Sequence, residues 1–456
     1  MGSKHMLIVL SVACTLRVLT PLAALAMARP APLFHEPDTA GYLRAAEQLA
    51  TSGQFATADG PEIVRTPGYP LLLALGVLAE RVDAVTIGLQ IVLSCISVWL
   101  VYRLGLLLEG RRAGLAAAWL LACEPLSVLY ASKLLSETLF TTLLTLFIFF
   151  AARYHRELRW PDLLCAAIAI AAAAYVRPIA YYLPPWLAVV WLVLLSRRAE
   201  SRWRLAKQLG AFLLVSMGLM GLWQWRNLRV ADYSGFSAIA DVNLYYYQAV
   251  PVLAELEGVP PENLSDYQRE LGFHDQAAWL RRHPEARDWP DARRYALLRT
   301  EARRVLRAHP LIAMRLHLSG VAHTLFDSGR NAWVHFFRLL PDDEPADAGG
   351  LRSAGERLIA ALRSKPLVLA IHAALALTLA VYLGLALVGI VHEVIRRDSL
   401  AVLILAVLVY FLILSGGPAG YHRFRLPIEP LLCLLAGCGW LAIVEAYRRR
   451  NRKSKI

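Results

Sequence analysis

Two carboxylates flank a proline just beyond the first apolar run: Glu36 and Asp38 in "FHEPDTAGYLRAAEQLA", residues 34–50. A third acid, Glu137, stands in "SKLLSETLF" near the head of a later apolar run. Arginines occupy comparable positions: Arg65 in "RTPGYP", Arg177 in "YVRPIAYYLPPW", Arg226 in "WQWRN", and Arg423 and Arg425 in "YHRFRLP". A positioned carboxylate can move a proton, and a guanidinium fork grips phosphate oxygens in pairs. The mixture therefore suits a phosphate-bearing substrate that reacts through proton transfer. Each residue also has a plainer explanation. Asp38 could simply N-cap the helix that follows it, and Glu137 could pair with Lys133, four residues earlier. Glu124, a further acid, precedes Pro125, which already loosens that helix. Helix-end arginines commonly reach toward lipid headgroups, and the tyrosines of "DVNLYYYQ" and "PIAYYLPPW" are ordinary interface anchors that would also stack on sugar rings.

The elements that must carry these side chains are membrane helices. Of 456 residues, 57% are hydrophobic and 18% charged, too apolar for a water-soluble globule. A net charge of +13 would suggest nucleic acid in a soluble protein. Here the basic residues cluster in short loops between apolar runs, which makes them orientation signals and argues against a nucleic-acid partner. Cys14, Cys95, Cys123, Cys165, Cys433 and Cys438 all fall in apolar runs without CxxC spacing, so neither a disulfide framework nor a zinc site is indicated. The run Leu7 to Ala28 lacks a cleavage-site pattern and reads as a retained helix.

At about 20 apolar residues per crossing, roughly ten spans are expected. They fall near Met6–Ala28, Val82–Leu108, Ala113–Ala131, Leu134–Ala152, Pro161–Val176, Pro178–Leu195, Leu205–Trp225, Pro366–Val391, Leu400–Ser415 and Leu426–Tyr447. Loops holding Arg111/Arg112, Arg153/Arg156/Arg159, Arg197 to Lys207 and Arg396/Arg397, with the tail "YRRRNRKSKI", share one side. By the positive-inside rule that side is cytoplasmic and holds both termini. Asp38, Lys133, Arg177, the segment Arg229 to Lys365 and "GGPAGYHRF" then face outward, with the charges gathered at that rim. Tyr69 to Leu78 is too short to span, and Leu311 to Phe326 is broken by Arg315, His317 and His323; both read as interfacial or re-entrant helices. Three regions follow: residues 1–228, a transmembrane module whose first outward loop (29–66) bears the acids; 229–365, a small outward helical cap with an acidic turn at "PDDEPADAGG", too short on core and helix to read as an independent enzyme domain; and 366–456, the last membrane helices and basic tail.

The blocks "PDTAGYLRAAEQLATSGQF", "RTPGYPLLLAL", "LSVLYASKLLSETLF", "YVRPIAYYLPP", "LWQWRNLRV" and "GGPAGYHRFRLPIEPLL" resemble, in order, the bacterial GT-C membrane glycosyltransferases of protein O-mannosyltransferase-like and aminoarabinose-transferase-like type. The resemblance implies an all-α polytopic GT-C fold, a catalytic acid in the first outward loop and a polyprenyl-phosphate-linked sugar as donor. Carried over by position, Asp38 matches that acid and Tyr42 the tyrosine after it. Glu137 matches the acid of a later span, Arg177 the RP motif, Arg226 and Asn227 the RN pair, and Arg423 and Arg425 the basic approach to the last helix. Many members have glutamate directly after the loop aspartate, where this chain has Thr39; its extra acid is Glu36.

Asp38 and Glu137 are thus the expected catalytic acids, and Arg177, Arg226, Arg423 and Arg425 the cations for the donor phosphate. Glu36, Tyr42, Arg65, Tyr69, Tyr181, Asn227, Tyr421 and His422 are expected to line the substrates. No GxGxxG or Walker-type loop is present for a soluble nucleotide, and no cofactor is required; a divalent metal rests on too few carboxylates to be supported. The expected partners are membrane lipid, the lipid-linked donor, and a lipid, glycan or protein acceptor. A transporter or flippase for polyprenyl-linked glycans, or an O-antigen-ligase-like enzyme, are the alternatives. A transporter would carry ionisable residues along the whole depth of its path and internal symmetry, and no repeat is evident.

Overall fold

The computed structural model describes residues 2–27, 33–57, 60–339 and 366–453. The chain is an all-α polytopic membrane protein. Among the described residues, seven helices are long and apolar enough to cross a bilayer, and Gly68–Leu78, Trp160–Val176 and Ser399–Ser415 are shorter apolar helices. The first half comprises α1 (Gly2–Ala26), α2 (Thr39–Ser52), α3 (Gly68–Leu78), α4 (Val82–Leu108), α5 (Arg111–Cys123), α6 (Pro125–Tyr130), α7 (Glu137–Glu157), α8 (Trp160–Val176), α9 (Leu183–Leu195) and α10 (Arg202–Ala231). A two-stranded antiparallel pair, Ala56–Thr57 with Gly60–Pro61, follows α2.

Prolines set the breaks that matter for the site. The expected helix Ala113–Ala131 is split, because Pro125 has no N–H to donate and forces Glu124 into extended backbone (ψ 120°). The Glu124 carboxylate then caps α6, accepting from Leu126 N at 3.0 Å and Ser127 N at 2.5 Å. α8 stops at Val176 for the same reason: Arg177 precedes Pro178 and is extended (φ −140°, ψ 120°). α7 begins at Glu137, later than the expected Leu134. Residues 131–136 form turns instead, and Leu134 N donates to Phe34 O at 2.9 Å, tying them to the first loop. Lys133 and Glu137 therefore do not share a helical face.

The bundle centres on two helices. The apolar windows of His422–Asn451 and Glu137–Glu157 are 78% and 67% buried, against 28% for Pro366–Arg396 and α1, whose uncovered apolar faces suit lipid. Small residues let the late helices touch: a methyl at Gly389 would overlap the Leu435 carbonyl, and one at Gly439 the Leu385 carbonyl.

The segment after α10 is richer in helix than expected. It contains Ile239–Val242, a π-turn at Asn243–Ala249, Val250–Leu256, Leu264–Glu270, Gln276–Arg282 and the amphipathic Asp291–Ala308. Its own apolar clusters are small, one around Tyr246, Val250, Leu271 and Leu298, another around Ala249, Val252, Ala302 and Val305. Arg299 grips the buried Asp241 through Nε at 2.7 Å and Nη2 at 2.8 Å, locking the longest of these helices to the segment's start. The acidic stretch 341–350 lies outside the described residues.

Candidate active site

Asp38 occupies the N-cap position of α2, yet its side chain caps nothing and its backbone is helical (φ −71°, ψ −25°). Its neighbour anchors the turn instead: Thr39 Oγ1 donates to Leu134 O and accepts from Glu36 N, each at 2.9 Å. The Asp38 carboxylate is thereby left to meet cations. Oδ2 lies 2.8 Å from Arg423 Nη1 and Oδ1 3.5 Å from Arg65 Nη2. Arg65 lies over the Tyr42 ring at 4.2 Å and fills the space where a side chain at Gly41 would stand. Tyr42 in turn contacts Ser136 Oγ at 3.3 Å and packs edge-on against Tyr69.

Glu137, buried at the head of α7, is held by two guanidiniums, since Arg423 Nε and Arg177 Nη1 both donate to its Oε1. Its Oε2 has no hydrogen-bond partner among the described residues. Lys133 pairs with Glu36 at 2.5 Å and not with Glu137. Arg65, Asp38, Arg423, Glu137 and Arg177 thus form one continuous chain of ion pairs. Three guanidiniums to two carboxylates leave an excess positive charge, a preference for an anion. Burial works to raise the Asp38 pKa, but Arg423 and then Arg65 outweigh it and hold the carboxyl below its ordinary range. Asp38 is therefore an anion at neutral pH, with an oxygen able to accept a proton.

The remaining expected residues divide by position. Tyr421 joins the cluster, its hydroxyl 3.5 Å from Arg423 Nη1. His422 lies behind it, with Nδ1 2.7 Å from Asp327 Oδ2 and Nε2 3.2 Å from the Tyr130 hydroxyl. Tyr69 is fully buried and donates to Gln90 Oε1 at 3.0 Å; Gln90 holds the carbonyls of Ala131 and Lys133, so Tyr69 supports the loop below the site. Arg425 is not brought to Asp38. It is buried, with Nε 2.6 Å from Glu429 Oε1 and Nη1 donating to the carbonyls of Thr324, Leu325 and Asp327. Arg226 likewise spends its donors on Glu62 O and Phe55 O, both at 2.6 Å, and lies over Trp223. Asn227 donates to the carbonyls of Gly235 and Phe236, and Tyr181 to Gln224 Oε1. Arg226, Asn227 and Tyr181 fasten the outer loops to α10.

Two residues escaped the sequence reading, and a third was read only as part of the "DVNLYYYQ" run. Tyr247, in the π-turn, comes near enough for the Asp38 carboxylate, after burial, to push its phenol pKa up; its cue was the "YYYQ" run. Asp327 fixes His422 and stands in "FDSGR", which has no periodic signal. Burial opposes its ionisation, but the hydrogen bond and charge of His422 hold its carboxyl well below the usual range. Arg17 lies inside α1, fully buried, and donates to Ser94 Oγ, Ser127 Oγ and the carbonyls of Ala13, Leu121 and Ala122. Charges are therefore not confined to one rim: Arg17 and Arg425 sit within the bundle, wrapped in acceptors. A lone arginine in an apolar run was the available signal for Arg17.

Residues 64–222 match the family model of dolichyl-phosphate-mannose-protein mannosyltransferase. Among solved structures, the oligosaccharyltransferase AglB from Archaeoglobus fulgidus, in complex with an inhibitory peptide and a dolichol-phosphate, aligns with all of this chain and 52% of its own, at TM-score 0.53 and 12% identity. The same organism's oligosaccharyltransferase tethered to an acceptor peptide containing the NVT sequon gives TM-score 0.55 and 14% identity over 98% of this chain and 50% of that one. The chain has the GT-C glycosyltransferase fold. This GT-C chain spans about half the length of those oligosaccharyltransferases. ArnT from Cupriavidus metallidurans bound to undecaprenyl phosphate aligns over 92% of this chain and 77% of its own at 15% identity and TM-score 0.40. No curated protein sequence matches the chain. The resemblance and the fold class read from the sequence both hold. The family-matched region supplies Arg65, Glu137 and Arg177; Asp38 and Arg423 reach the cluster from outside it.

Proposed function

We propose that this GT-C chain is an inverting glycosyltransferase that moves a sugar from a polyprenyl-phosphate-linked donor to an acceptor on the extracytoplasmic side of the inner membrane, with both termini cytoplasmic. One observation carries the reading: Arg423 holds Asp38 and Glu137 at once, placing a proton acceptor beside a cation whose partners a phosphate can replace.

An acceptor hydroxyl or amine bonds to the anomeric carbon from the face opposite the phosphate, and its proton passes to Asp38. The bond from that carbon to the lipid phosphate breaks, and its electron pair leaves on the phosphate oxygen. Arg423 and Arg177 offset the charge that grows there, a preorganised electrostatic contribution. As the phosphate draws Arg423 away, Asp38 loses the cation that weakens it as a base. Glu137 keeps both arginines in register. Tyr42, Arg65, Tyr421 and Tyr247 border the sugar and acceptor, and Glu36 with Lys133 lies next to them. Lipid A, a lipid-linked or exported glycan, and a protein are the acceptor classes compatible with an outward site.

The test is conversion of a polyprenyl-phosphate sugar to free polyprenyl phosphate by the purified chain in vesicles. No release with any of the three acceptor classes would overturn the reading, and movement of intact donor across the bilayer would replace it with a flippase.

A further inference from the structure

A second group of ionisable side chains lies at the far end of α4 from Asp38. α4 starts beside the first loop, where His35 Nε2 lies 3.0 Å from Asp83 Oδ1. It runs 27 residues, about 40 Å at the α-helical rise, and ends against Glu109. His392 and Glu393 are successive residues near the end of helix Pro366–Arg396. His392 Nε2 is 3.1 Å from Glu109 Oε1, and one potential ligand atom from each of Glu109, His392 and Glu393 lies within 4.8 Å of the others.

Glu393 is what makes this more than an acidic cluster. It is fully buried, and neither carboxylate oxygen has a nitrogen or oxygen hydrogen-bond donor among the described residues. A buried carboxylate without a partner costs several kcal/mol if ionised, so the position calls for a cation. Neither nearby cation serves it: Arg156 pairs with Asp398 at 2.7 Å, and Arg396 is spent on Glu109 from the more open side, its side chain 42% exposed. The Cys438 thiol of the terminal helix borders Glu393.

We propose that Glu109, His392 and Glu393 bind a divalent first-row transition metal of the zinc type. Two carboxylates and an imidazole beside a thiol match the mixed oxygen, nitrogen and sulfur donors such ions take, and differ from the all-oxygen sets of calcium and magnesium. The ion bridges α4 and helix Pro366–Arg396 beside the terminal helix, at the end of the bundle opposite the Asp38 cluster. Arg396 releases Glu109 when it binds and turns to solvent. The site is independent of the sugar-transfer reading.

The experiment uses the full chain without a polyhistidine tag, stripped with a chelator in detergent, then titrated with Zn2+ and desalted. About one zinc per chain is expected to remain by elemental analysis, with a rise in unfolding temperature. Glu393→Gln and His392→Gln should each lose the retained zinc and the rise, while Asp38→Asn keeps both. His392 is partly exposed, so its variant is expected to fold even if the buried substitution is not tolerated. The proposal is overturned if the wild-type chain retains no zinc, if both variants retain it as the wild type does, or if Asp38→Asn loses it.

Discussion

Arg423 Nη1 lies 2.8 Å from Asp38 Oδ2, joining residues 385 positions apart in the chain. The same guanidinium reaches Glu137 through Nε, so one planar cation fixes a loop acid and a helix-head acid together. The planar fork presents Nε and Nη1 in fixed directions, so both acids are held in one geometry, which the freely rotating donors of an ammonium would not impose. In the proposed reaction a donor phosphate entering the cluster would compete for the same donors, which would link its binding to the release of Asp38.

Asp38→Asn keeps the shape of the side chain and removes its ability to accept a proton. Its side chain is 42% exposed and its α2 cap position is unused, so folding should be little affected. Loss of general base catalysis typically costs about 10²–10⁴-fold. Release of free polyprenyl phosphate should fall by that factor, while the unfolding temperature falls only by the small amount that the lost pairing with Arg423 supplied. Wild-type turnover in the variant would remove Asp38 from the reaction.

The pH dependence follows from the sign of the Asp38 shift. Burial raises its pKa, but Arg423 first and Arg65 next bring it below the ordinary value. A carboxyl depressed in the folded state contributes stability above its unfolded pKa and loses it as pH falls through the folded one. It also stays ionised across the neutral range, so the acid limb of kcat/KM from this group lies below about pH 4. Arg423→Gln removes the largest opposing cation and lets burial count for more. Its acid limb should move to higher pH, along with a lower maximum, in a profile measured beside the wild type. An unmoved limb would mean that another group supplies the base.

What the sequence showed, and what it hid, follows from the range of each signal. Spans and short apolar helices are written in runs of hydrophobic residues, and Arg177 was visible because a following proline ends its helix locally. Arg423 and Arg425 are two residues apart with the same chemistry, yet one enters the Asp38 cluster and the other meets Glu429. That choice is made by the turn of the 3-10 segment His422–Ile428 and by carbonyls from 324–327, which no local pattern encodes. Lys133 failed as a partner for Glu137 because the helix begins three residues later than hydropathy suggests, a boundary set by pairing with Phe34 across the fold. Arg226 was drawn to a carbonyl pair on a distant loop for the same reason.

Arg425→Met should therefore damage stability and spare chemistry. The substitution strips a buried carboxylate, Glu429, of its ion-pair partner and leaves three carbonyls without their donor. Breaking a buried pair from one side typically costs about 3–5 kcal/mol, whereas replacing both members by apolar groups is often neutral. Thermal unfolding should show a large drop for Arg425→Met and partial recovery for Arg425→Met with Glu429→Leu. In the folded fraction, KM for the lipid-linked donor should match the wild type. A raised KM with normal stability would put Arg425 on the donor after all.

The position of Arg423 also depends on a contact with no functional group in it. Residues 416–420 lead directly to Tyr421 and Arg423, and they lie against Gly320 of helix Pro310–Phe326. A methyl at Gly320 would overlap the Gly417 carbonyl, while Gln248 Nε2 holds Gly416 O from another side at 2.9 Å. Gly417 itself has φ +129°, a conformation other residues rarely adopt, so the loop has little freedom to yield. Gly320→Ala should then shift the loop as a unit at an overpacking cost of about 1–3 kcal/mol. A displacement near 1 Å at a reacting group can lower turnover about 10²-fold. The expected result is a folded variant with a sharply reduced kcat. Gly384→Ala is the matched control: it adds the same methyl to a membrane helix where nothing lies within 4 Å, and should leave kcat unchanged. Equal activity in the two variants would show that the loop tolerates displacement, and that the Arg423 bridge does not require the register seen here.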